Sequence, residues 1–205
     1  MSAEKLPPDI DPESRCRLPF PDRDDLDEAA RKVYDSLTDP NGGSLAGLRG
    51  PGGMRPCPYR IRPRTVRQSP GANVRLRDPD VIDARTRELA ILVTAREHDC
   101  QFEWAAHEAE AKKEGISDEI VEIVRHRRPA VGLAECDRAL IEFGRELFGS
   151  HRVTPETYAA LAAFHDRRTL VDLVNLMGMY AMTAASLIAF DAQLPEGTPP
   201  GLPPL

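Results

Sequence analysis

From residue 81 onward, apolar residues recur at intervals of three and four, and capping residues mark where each predicted helix begins and ends. Asp83 predicts an N-cap for a helix over Ala84–His98, with Leu89, Leu92, Val93 and Arg96 at helical spacing. A break at His98–Asp99 leads to a second helix, Cys100–Glu114, closed by Gly115 at the C′ position. Ser117 caps a third over Asp118–Arg127, which Pro129 terminates. A fourth runs from Leu133 to Phe148 and ends at Gly149, and Thr154-Pro155 opens a fifth that reaches Phe164. The last, Arg168–Asp191, is the most apolar. Its length suits a membrane span, but Asp172, Asn175 and Gly178 favour a central helix buried in a bundle or an oligomer interface.

The first eighty residues have a different character. Residues 1–21 read as a polar arm, and Asp24–Leu37 as a short amphipathic helix with Leu26, Ala29, Val33, Tyr34 and Leu37 on one side. The stretch from Thr38 to Arg64 is dense in glycine and proline, which break helices and strands alike. It is expected to run over the surface as a lid or an interface arm. No segment has a convincing strand period. The predicted fold class is all-α, a compact helical bundle preceded by an irregular Gly/Pro-rich segment. The expected partition is 1–80 for the arm, short helix and loop, 81–195 for the helical domain, and 196–205 for a proline-rich tail.

Composition narrows the range of functions. Hydrophobic residues make up 41% of the 205 and aromatic residues only 5%, so Leu, Ile, Val and Ala must supply most of the core. A net charge of −6 argues against nucleic acid as a partner, and no membrane partner is expected. The most basic stretch, Arg55 to Arg77, is interleaved with prolines and reads as a solvated irregular segment. The opening MSAEKLPPDIDPESRC has no hydrophobic signal-peptide core, so a cytoplasmic location is expected. Four cysteines, Cys16, Cys57, Cys100 and Cys136, are widely spaced with no CxxC and no metal-type pairing.

The densest chemistry lies between Glu88 and His107. On the second predicted helix, Cys100, Glu103 and His107 are separated by three and four residues, which places them on one stripe. Glu88, on the preceding helix, meets the same stripe if a short turn folds that helix back. A carboxylate beside an imidazole orients the ring for proton transfer, and a thiol at a helix N-terminus feels the positive end of the macrodipole, which favours thiolate. The same residues also suit a purely structural role: a buried histidine bonded to a glutamate, and a cysteine acting as a small hydrophobe. Tyr180, on the apolar last helix, and Asn73 and Arg75, in the loop, are candidate substrate contacts.

The segment RTRELAILVTAREHDCQFEWAAHEAEAKKEG resembles the helix–turn–helix of the carboxymuconolactone decarboxylase and alkyl hydroperoxidase D superfamily. The hydroperoxidase pattern is a Glu, a CxxC beginning twelve residues later, and a His four after the second Cys. Glu88, Cys100, Glu103 and His107 stand at those positions, so three of the four residue types agree. The departure is Glu103, which replaces the second cysteine and removes the family's local disulfide. The surrounding text, including VDLVNLMGMYAMTAASLIAFDAQLP, is similar to the decarboxylase-like branch, and the resemblance runs over about residues 65–200.

The resemblance implies a bundle of the alkyl hydroperoxidase D type, assembled as a homotrimer or hexamer. It implies acid–base chemistry, decarboxylation or isomerisation of a small carboxylate or lactone, that requires no cofactor and no metal. His107 is then the proton carrier, with Glu88 or Glu103 orienting it, and an arginine of the Arg55–Arg77 segment holds the substrate carboxylate. Two alternatives remain: a one-cysteine thiol peroxidase with Cys100 as nucleophile, and a non-catalytic oligomeric scaffold that binds a ligand.

Overall fold

Every residue from Glu88 to Arg96 is buried in the computed structural model, so one helix is enclosed on all sides by the others. The structure describes residues 6–20, 22–38, 47–50, 53–56, 78 and 80–204. The chain divides into two units, Met1–Arg67 with Ile188–Gly197, and Gln68–Leu187 with Thr198–Leu205.

The first unit contains helix α1 (Glu28–Thr38) and an antiparallel ribbon of β1 (Gly47–Gly50) and β2 (Gly53–Pro56), with Gly47 opposite Pro56 and Gly50 opposite Gly53. The ribbon lies in the stretch expected to be irregular. Its pairing uses main-chain groups, and its two four-residue strands, GLRG and GMRP, hold one apolar side chain each, too few for a period-two apolar signal. In the arm before α1, Ile10, Ser14 and Cys16 are buried. Arg17 N–H donates to the Phe190 carbonyl at 2.9 Å, and Gln193 N–H donates to the Arg15 carbonyl at 2.9 Å. The arm is therefore tied to the segment that follows the last helix.

The second unit is helical among its described residues. It comprises α2 (Ala84–Glu97), α3 (Gln101–Lys113), α4 (Asp118–Arg125), α5 (Glu135–Arg145), α6 (Pro155–Ala162) and most of α7 (Arg167–Ala189). Side-chain caps start several of them. The Asp83 carboxylate accepts from Thr86 N–H at 2.9 Å, Ser117 Oγ from Ile120 N–H at 3.3 Å, and Thr154 Oγ1 from Thr157 N–H at 3.3 Å. The predicted fourth helix is divided in two. Regular α5 ends at Arg145, and Glu146–Ser150 forms a π-helical turn in which Glu146 accepts from Thr154 N–H at 2.7 Å and Thr157 Oγ1 at 2.7 Å. The cap of the following helix thus draws the end of α5 out of register.

The turn between α2 and α3 follows from two backbone bonds. Cys100 N–H reaches the Ala95 carbonyl at 2.9 Å and Asp99 N–H reaches the Arg96 carbonyl at 3.0 Å, with Asp99 left-handed at φ 50. This is a Schellman ending with aspartate in place of glycine, and it folds α3 back along α2.

Helices α2 and α5 approach closely. Arg85 clamps Asp137 through two bonds of 2.6 and 2.9 Å, and further along α5 Gly144 lies directly against Val93. Helix α7 buries Leu170, Leu173, Leu176, Met177, Tyr180, Ala184 and Leu187 and leaves Val171, Val174 and Met182 exposed. Among the described residues it is one helix long and apolar enough to cross a membrane by length and composition.

A methyl group at Gly144 would stand well inside van der Waals distance of Val93 Cγ1 and 2.8 Å from Met177 Cε. Alanine gains about 1 kcal/mol of helix propensity over glycine, whereas overpacking against a branched, fully buried valine costs about 1–3 kcal/mol. Gly144→Ala is expected to be net destabilising in urea denaturation. A higher midpoint than wild type would show that α2 and α5 can separate at no cost.

Candidate functional site

The α2–α3 hairpin sets Glu88 opposite His107. Glu88 Oε2 lies 2.8 Å from His107 Nδ1, and both side chains are 5% exposed. Arg87 Nε donates to the other carboxylate oxygen, Oε1, at 3.2 Å. Burial alone would raise the Glu88 pKa, but the hydrogen bond and charge of His107, with those of Arg87, hold it below its ordinary value. Glu88 is therefore a carboxylate at neutral pH and can only accept. The hydrogen in the bond belongs to His107 Nδ1, which leaves Nε2 as the nitrogen for proton exchange.

Tyr180 of α7 packs edge-on to the imidazole, with ring centroids 5.2 Å apart and planes at 85°. Glu103 and Cys100, on the same stripe of α3, are also buried. Cys100 is the N-cap of α3 and makes no side-chain cap bond. Its ionisation runs opposite to the thiolate expected at a helix N-terminus. Burial, and after it the negative charge of Glu103, push the thiol up to about 12, outweighing the amides of Glu103 and Phe102 that favour thiolate. The macrodipole argument fails here because the sulfur is withdrawn from water beside a carboxylate.

The structure thus sets His107 against both Glu88 and Tyr180 and buries Cys100 and Glu103 on the same stripe of α3 as His107. Asn73, Arg75 and the rest of the loop through Arg77 lie outside the described residues. Arg87 is a member of the site that the sequence reading missed. Neighbours in a helix point in different directions, so a stripe-based search passes over it, although an arginine flanking a candidate buried carboxylate is itself a signal. Among the described residues, no group of three or more His, Cys, Asp or Glu is placed to hold a metal ion.

Residues 71–143 match the model of the carboxymuconolactone decarboxylase family. No curated protein matches the chain significantly. Solved structures share the fold at low identity. A peroxidase-related protein from Ralstonia eutropha with an alkylhydroperoxidase AhpD core is 16% identical and covers 88% of this chain and 93% of its own, with a TM-score of 0.65. A putative antioxidant defence protein AhpD from Agrobacterium tumefaciens is 16% identical, covering 61% of this chain and 86% of its own, at a TM-score of 0.55. The debrominase Bmp8, in complex with 2,3,4-tribromopyrrole, is 11% identical, covering 62% and 68%, at a TM-score of 0.53.

Because the folded-state pKa of Glu88 lies below its ordinary 4.5, its contribution to stability is fully present above that pH and is lost as pH falls through the folded value. Between about pH 5 and about pH 3, wild type should lose stability more steeply than Glu88→Gln, which has no carboxyl to protonate. Parallel acid limbs in the two denaturation series would show that the pair contributes nothing to this linkage. In a second measurement, with a thiol pKa of about 12, roughly one Cys100 side chain in ten thousand is ionised at pH 8. Alkylation of Cys100 in the native protein is expected to be about three orders of magnitude slower than for an ordinary cysteine. Fast labelling of Cys100, located by mass spectrometry, would contradict this.

Proposed function

We propose that this chain, whose residues 71–143 match the carboxymuconolactone decarboxylase family model, is an acid–base enzyme that decarboxylates or isomerises a small carboxylate or lactone. The observation that carries the reading is the buried Glu88–His107 pair, with its 2.8 Å bond fixing Nδ1 as the donor and Nε2 as the working nitrogen. In decarboxylation, the bond to the carboxylate carbon breaks, carbon dioxide leaves, and its electron pair stays on the substrate as a carbanion or enolate. Protonated His107 then delivers the Nε2 proton to carbon and is restored from solvent. In isomerisation, neutral His107 takes a proton from a carbon next to a carbonyl and returns it elsewhere on the same framework. Glu88 compensates the imidazolium in either case. Arg87 positions Glu88, and Tyr180 supports the ring and contacts substrate.

The thiol peroxidase alternative fits the site less well. It needs a thiolate, and Cys100 is buried with its pKa pushed up to about 12. Relatives of this fold carry names as different as debrominase and antioxidant defence protein, so the fold does not select a reaction and the site has to. The exposed apolar residues Val171, Val174 and Met182 of α7 support a homotrimer or hexamer, to be checked by light scattering. A cytoplasmic location and a small-molecule substrate are part of the same proposal.

The test is turnover of a panel of small carboxylated lactones and unsaturated acids in deuterium oxide, followed by NMR. Wild type should release carbon dioxide or shift a double bond with deuterium appearing at carbon. His107→Ala should lose about 10³-fold and Glu88→Gln at least about tenfold, while Cys100→Ser keeps its rate. Dithiol-dependent peroxide reduction that Cys100→Ser abolishes would replace this reading with the peroxidase. Activity that survives His107→Ala would end both.

A further inference from the structure

The tail beyond the first unit's share of the C-terminal region does not run free along the surface. At Gly201 and Leu202 it is read by α3 and α4 much as a bound peptide would be. The Gln101 side-chain amide brackets the main chain of Leu202, donating from Nε2 to its carbonyl at 2.7 Å and accepting its N–H on Oε1 at 2.9 Å. Arg125 Nη1 donates to the Gly201 carbonyl. The Leu202 side chain is 4% exposed and joins the hydrophobic core.

The surface beneath is prepared for this. Trp104, the only tryptophan in the sequence, is fully buried, and its indole N–H donates to Glu108 Oε2 at 2.9 Å. Arg125 stands 5.3 Å over the same ring and bonds Glu108 Oε1 at 2.7 Å, so guanidinium, carboxylate and indole hold one another in place. Gly201 packs closely against the indole. A Cβ there would fall 2.6 Å from Trp104 Cδ1 and 2.9 Å from Nε1, and the ring cannot yield because Glu108 and Arg125 fix it. Prolines at 199, 200 and 203, the nearest on either side, keep the segment extended and cheap to order.

We propose that Gln101, Trp104 and Arg125 form a sequence-selective cradle for an extended, proline-flanked Gly-Leu segment, occupied by this chain's own Gly201–Leu202. Selectivity has three sources: glycine where the indole excludes any side chain, leucine where the core accepts one, and main-chain reading of both residues between Pro200 and Pro203. The logic is that of peptide grooves lined with aromatic residues, with the ligand supplied in cis.

Trp104 is its own reporter, so the full-length protein suffices for the test. Trp104 fluorescence and acrylamide quenching, with hydrogen exchange at the Leu202 amide, are measured for wild type, Gly201→Ala, Gln101→Ala and, as a control, exposed Pro204→Ala. Circular dichroism confirms that each variant is folded. Gly201→Ala should red-shift the emission, raise quenching and release the Leu202 amide, and Pro204→Ala should match wild type. Gln101→Ala should raise the open fraction about 30-fold, the equivalent of two neutral hydrogen bonds. A synthetic peptide TPPGLPPL added to Gly201→Ala should restore the protected indole. A protected Trp104 in Gly201→Ala, or no effect of the peptide, would overturn the proposal. Protection that depends on protein concentration would overturn the in-cis arrangement by assigning the segment to a second copy.

Discussion

A carboxylate sealed inside a helical core keeps its charge only where donors reach it, and Glu88 meets that condition through His107 on one oxygen and Arg87 on the other. Much of the second unit is registered by this requirement. Helix α2 can be buried on every side only because its one buried acid is satisfied from α3. The α3 register is fixed in turn, since a shift of one residue would carry His107 about 100° around the helix and strand the acid. Tyr180 then sets α7 against the ring edge. Losing one partner of such a pair costs several kcal/mol, because an unpaired charge stays behind.

The replacement at position 103 has two effects that reinforce each other. The redox motif that the segment resembles carries a cysteine at this position, and a glutamate there removes the disulfide partner. The same glutamate is buried, and its negative charge adds to burial in pushing the Cys100 thiol towards its neutral form. A nucleophilic thiolate is disfavoured while Glu88 and His107 stay bonded. The physical consequence is a site whose thiol stays protonated, with the Glu88–His107 pair beside it intact. This is the basis for preferring proton transfer to peroxide reduction, and it rests on local electrostatics rather than on the fold.

What could be read from the sequence was what short-range chemistry determines. Asp83, Ser117, Thr154 and Gly115 act within three residues of themselves, so the helix starts and the α3 ending were visible in the pattern. Glu88, Glu103 and His107 could be grouped because helical period and one short turn bring them together. Four features could not be read this way. The π-helical turn arises because Thr154 and Thr157, from the next helix, capture Glu146. The Cys100 shift depends on burial, a tertiary quantity. Arg87 lies outside the stripe that defines the site. The docking of Leu202 joins residues 101 positions apart in sequence, and a proline-rich composition argues for extension without saying where the chain will rest.

Helix α3 is held on two flanks by interleaved residues. Cys100, Glu103 and His107 form one buried stripe whose His107 bonds the acid of α2, while Gln101, Trp104 and Glu108, one position removed from them, take part in holding the tail and Arg125. The two sets cannot move independently, since each member of one is the direct chain neighbour of a member of the other: Cys100 of Gln101, Glu103 of Trp104, His107 of Glu108. Proton transfer is sensitive to displacements of about 1 Å, which can cost about a hundredfold in rate. A helix fixed from one side alone could roll about its axis by that amount through side-chain adjustment. Fixed also by a bracketed main chain and a clamped indole, it keeps His107 Nδ1 on Glu88, and with it the direction in which Nε2 faces.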